Sequence, residues 1–66
     1  MQAFQQRVVD EKTELDKKLD NLTQFIKSSK TYLELPEPER ARLLEQRLTM
    51  QRYSEILAER IAAFAV

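Results

Sequence analysis

In the first half of the chain the apolar residues fall at Phe4, Val8, Leu15, Leu19, Leu22 and Ile26, with Phe25 beside the last. Steps of three, four or seven residues place them on one stripe of an α-helix. No glycine or proline occurs before Pro36, and Glu14 with Lys18 forms a favourable i,i+4 pair on the charged side. The pattern predicts a helix over 4–28, roughly 37 Å long. A second stripe runs through Leu43, Arg47, Met50, Ser54, Leu57, Ile61 and Phe64, flanked by Leu44, Leu48, Tyr53 and Ile56, and predicts a helix over 37–63.

The segment between the stripes supplies the stop and start signals. Lys27, Ser28, Ser29 and Lys30 suit a helix end, because lysines complement its negative pole and serines compete for backbone hydrogen bonds. Pro36 and Pro38 are tolerated only in a first turn, and Glu37 and Glu39 add negative charge where the dipole favours it. A connection over 29–36 is short enough to favour antiparallel neighbours. Tyr32, Leu33 and Leu35 are expected to fold back onto Phe25 and Leu43. The lysines and hydroxyls of this segment could also meet phosphate, but its serines sit at a helix C-terminus, whose dipole repels anions, and it lacks the glycines of a phosphate-cradling loop.

The fold class expected is all-α, a single domain formed by a two-helix antiparallel hairpin that oligomerises into a helical bundle. Sixty-six residues bury little on their own, and two helices side by side leave part of each stripe wet. Further burial must come from other copies or from a partner.

Composition narrows the chemistry. With no cysteine and no histidine, the chain has neither a disulfide, nor a thiolate or imidazole metal ligand, nor a base poised near neutral pH. An enzyme is not expected, and neither is a cofactor or metal. Eleven basic and eleven acidic residues cancel, which argues against nucleic acid as the partner. Glu45, Glu55 and Glu59 interleave with Arg47, Arg52 and Arg60 on the second helix and argue the same way. No apolar run approaches membrane-spanning length, and the N-terminus has no signal-peptide pattern, so a soluble, intracellular protein is expected.

Four polar residues interrupt the seam. Glu11 and Lys12 fill the gap between Val8 and Leu15, while Arg47 and Ser54 stand where apolar residues are called for. Buried charges need partners. One reading pairs Glu11 with Arg7 or Arg60 and sends Arg47 past Leu44 to solvent or to a neighbour's carboxylate. The other gathers such arginines in a polar cavity between subunits, where guanidinium groups match phosphate oxygens bidentately.

The segments "RVVDEKTELDKKLDNLTQFI" and "LLEQRLTMQRYSEILAERIAAF" resemble a family of very short tailed-phage proteins. The shared features are Arg7-Val8, Phe25-Ile26, Leu43-Leu44 with Gln46, Met50 with Tyr53, Ile56-Leu57 and Arg60-Ile61, and they span nearly the whole chain. That layout is more distantly similar to the helical-hairpin sponge proteins with which phages counter the CBASS and Thoeris defences. The resemblance implies a homo-oligomer in the host cytoplasm that sequesters cyclic di- or trinucleotide signals without cleaving them. In those sponges an aromatic ahead of the first helix stacks on a base and a lysine just after the Arg-Val pair meets phosphate. Here Phe4 is the aromatic available, and Val9 follows Arg7-Val8, with Lys12 nearly a turn later. The expected ligand-binding residues are Phe4, Arg7, Lys12, Arg47, Arg52 and Tyr53. The alternative is a helical protein-interaction module that binds a host or phage protein.

Overall fold

The computed structural model describes residues 1–64 and is all-helical, with no strand among them. Helix α1 covers Ala3–Ser28, a short α2 covers Lys30–Glu34, and α3 covers Glu37–Ala63. α1 and α3 lie antiparallel in a rod with principal extents of 47 × 15 × 14 Å.

Local chemistry sets each boundary. At the start of α1 the Gln2 backbone N–H donates to Gln5 Oε1 at 2.8 Å. The helix stops where Ser29 turns extended (φ −89°, ψ 128°) while its N–H still reaches the Phe25 carbonyl at 3.1 Å. Ser29 Oγ then accepts from the Thr31 N–H at 3.1 Å and caps the next turn. The serine therefore ends one helix and begins another. Pro36 sits at the N-cap of α3, and its carbonyl accepts from the N–H groups of Glu39 and Arg40 at 3.0 and 3.1 Å.

Inside the expected connection, the α2 turn differs from an irregular loop. It holds because Tyr32, 7% exposed, packs edge-to-face on Phe25 with ring centroids 6.0 Å apart. Adjacent helical residues point about 100° apart, so seating Tyr32 turns Leu33 outward. Leu33 is accordingly 70% exposed and does not fold back, whereas Leu35 is half-buried.

The six stripe positions of α3 and Phe64 at its C-cap are all buried or half-buried, with Leu57 the most enclosed at 1% exposure. It packs with Val8 and Leu15, and Met50, Ile61 and Phe64 close around them. At the open end of the hairpin Phe4 meets Phe64 edge-to-face at 6.0 Å. Leu48 and Ile56 remain exposed on the side of α3 turned away from α1, and Leu44 and Tyr53 are exposed on its two opposite flanks.

Candidate functional site

The polar interruptions of the seam line up along one edge of the α1–α3 groove. Near its middle, Lys12 Nζ donates to Asp16 Oδ2 at 2.6 Å and to Ser54 Oγ at 3.1 Å, and Ser54 Oγ donates to Asp16 Oδ1 at 2.5 Å. The Lys12 hydrogen bond, aided by the one from Ser54, holds the Asp16 carboxyl below the usual carboxylate range against a small opposing effect of burial. Lys12 thus spends two of its three ammonium protons within this triad. The expected pairing of Glu11 is not found: Glu11 is exposed and joins no ion pair among the described residues. Lys12 is one turn beyond Val8 on the groove side, so its side chain fills the gap and leaves Glu11 on the flank.

Towards the closed end, Thr23, Ile26, Lys27 and Arg47 line a cleft of about 200 Å³. Arg47 is half-buried, and its Nε is enclosed without a hydrogen-bond partner. Neither Arg47 nor Lys27 joins an ion pair among the described residues. Thr23 Oγ1 donates to the Leu19 carbonyl at 2.8 Å, so its proton is already used. The donors of the cleft are therefore a guanidinium from α3 and an ammonium from α1. A second guanidinium, that of Arg40, two turns before Arg47 on α3, likewise has an enclosed Nε without a partner. Enclosed donors of this kind call for an acceptor, and the two non-bridging oxygens of a phosphate fit the Nε–Nη edge of an arginine.

The remaining expected binding residues lie elsewhere. Arg52 and Tyr53 share a concavity of about 500 Å³ with Glu45, Leu48, Thr49 and Ile56 on the outer side of α3. Arg52 makes only long contacts there, 3.7 Å to Glu55 and 3.9 Å to Glu59. Phe4 and Arg7 are exposed near the open end, where Met1, Gln5, Ile61 and Phe64 line a recess of about 290 Å³. Within one hairpin the six residues thus fall into separate places: Phe4 with Arg7, Lys12 alone in its triad, Arg47 in the cleft, and Arg52 with Tyr53. Sequence reasoning placed Lys27 at the end of a helix, in a segment read first as a turn and only second as a phosphate contact, and did not pair it with Arg47. Its place beside Arg47 depends on the register of the hairpin and on the reach of two long side chains.

A model of the Sequestin family matches residues 2–63. The chain belongs to the Sequestin family. A relative in Enterobacteria phage T4, an uncharacterized 7.5 kDa protein of the denB-rIIB intergenic region, is 39% identical over 64 residues, covering 97% of this chain and 98% of the relative. This Sequestin hairpin is therefore of the same size and extent as a small phage protein. No solved structure matches it. Among the described residues no helix is long and apolar enough to cross a membrane, and no cluster of acidic residues could hold a metal ion.

Proposed function

We propose that this Sequestin acts as a phage-encoded sponge, a homo-oligomer that binds cyclic oligonucleotide or related nucleotide immune signals and withholds them from host defence in the host cytoplasm. The observation that carries the reading is the Arg47–Lys27 cleft, where cationic donors from two helices converge and the Arg47 Nε lacks an acceptor. A cyclic di- or trinucleotide presents closely spaced phosphates, which suits such a cleft. The family name, with its sense of sequestering, agrees with binding as the activity. Binding needs no general base, so a chain without histidine or cysteine loses nothing by it. Flat aromatic surface for the bases is available at Phe4, which is exposed, and several subunits would combine it with the cleft.

The test is calorimetric titration with a panel of cyclic di- and trinucleotides, repeated with Arg47→Ala. The wild type should bind at least one member. Arg47→Ala should keep its helical spectrum and lose about ten- to a hundredfold in affinity, the value of one charge-assisted hydrogen-bonding group. If no member binds, or if Arg47→Ala binds as the wild type does, the reading is wrong.

A further inference from the structure

α3 carries two apolar stripes, and α1 covers only one of them. On the side away from α1, Leu48 is 60% exposed and Ile56 39%, with Tyr53, 41% exposed, at one flank beside them in the concavity that Glu45 and Arg52 also line. A helix with apolar surface on opposite sides requires cover on both. The hairpin's own core is small, since Val8, Leu15, Tyr32 and Leu57 are its buried apolar residues among those described.

The charges on the outer side indicate what covers it. Ala41, Glu45, Leu48, Arg52 and Ile56 follow one another at helical steps, with Glu45 and Arg52 two turns apart on either side of Leu48. Glu45 joins no ion pair among the described residues, and Arg52 makes only the two long contacts within its own helix. When two such helices are laid antiparallel about a two-fold axis between Leu48 and Thr49, Glu45 of each copy stands opposite Arg52 of the other. Leu48 then meets Leu48 at the centre. A parallel arrangement would instead set Glu45 against Glu45 and Arg52 against Arg52, and like charges disfavour it. Self-complementarity about a two-fold axis is the mark of an isologous contact.

We propose that the outer face of α3 docks a second copy of this chain, antiparallel, with two reciprocal Glu45–Arg52 pairs fixing the register. Arg47 lies on the opposite side of α3 from this face, so the contact leaves the Arg47–Lys27 cleft open. The proposal names the surface of the assembly put forward above. It does not depend on the ligand.

Analytical ultracentrifugation without nucleotide, alongside far-UV circular dichroism, tests it. The wild type should sediment as a dimer or a multiple of one. Glu45→Arg and Arg52→Glu should each weaken association by on the order of a hundredfold, because each leaves like charges facing one another at two symmetric places. The double variant Glu45→Arg/Arg52→Glu should recover it. Folding and association are linked in so small a chain, so loss of helix in the single variants with return in the double supports the proposal equally. A wild type that associates while both single variants do so unchanged would overturn this surface and leave self-assembly intact. A double variant that fails to recover would also overturn it. A monomeric wild type would overturn both the surface and the assembly, and would leave the face to a different protein.

Discussion

Replacing Leu57 by alanine tests whether the α1–α3 seam supports the fold. Leu57 is 1% exposed and touches the cluster formed by Val8 and Leu15, with Met50, Ile61 and Phe64 around it. Truncating a leucine so enclosed costs about 2–5 kcal/mol, through lost transfer energy and a cavity that neighbouring helices only partly fill. A chain of 66 residues holds roughly 3–10 kcal/mol of stability in all, so this one change removes a large share of it. At about 4–8 °C per kcal/mol for a small domain, the melting midpoint should fall by roughly 8–40 °C. Thermal melts followed by far-UV circular dichroism, at one fixed protein concentration, read the change. Leu33→Ala is the control, because Leu33 is 70% exposed and its truncation should stay within about 0.5 kcal/mol of the wild type. Equal midpoints for the two variants would show that the seam does not carry the stability and would refute the packing argument.

Asp16 supplies a pH dependence of definite sign. Its folded-state pKa is lowered by Lys12 and Ser54, so the stabilisation is present above the ordinary carboxylate range and is lost as pH falls through the depressed value. Because the Asp16 side chain is 43% exposed, the effect should not exceed about 1 kcal/mol. Asp16→Asn should therefore be less stable than the wild type near neutral pH and approach it below about pH 4 in denaturant titrations; a gap that stays constant across that range would contradict the triad. Tyr32→Ala should loosen the α2 turn and speed tryptic cleavage after Lys30, whereas Tyr32→Phe, which keeps the ring against Phe25, should cleave at the wild-type rate.

Both long helices were readable from apolar spacing because the physics is local and repeated. In α3 every stripe position from Leu43 to Ile61, including Arg47 and Ser54, turns towards α1. The closed end was less legible. A five-residue helix is too short to announce itself by periodicity, and α2 forms because Ser29 caps it and Phe25 receives Tyr32, a contact made only after the chain turns back. The polar seam was half legible. Interruptions at Lys12, Arg47 and Ser54 are visible in the sequence, but whether Glu11 or Lys12 fills the gap is set by which flank of α1 faces Ser54. Lys27 joins Arg47 only through the register of two helices, and spacing within either helix carries no signal of it. Tyr53 and Arg52 stood out as residues, while the apolar face they share with Leu48 and Ile56 emerges once α1 is seen to cover the other side.

Capture and release of an intact ligand tests the sponge reading most directly. The protein, in molar excess, is mixed with the cyclic nucleotide that binds in titration, the free fraction is collected by ultrafiltration, and the retained fraction is heat-denatured and analysed by liquid chromatography with mass spectrometry. The account predicts that free nucleotide is depleted and then recovered unchanged in mass and amount after denaturation. Undiminished nucleotide in the filtrate, or a linear or hydrolysed product after release, would contradict it.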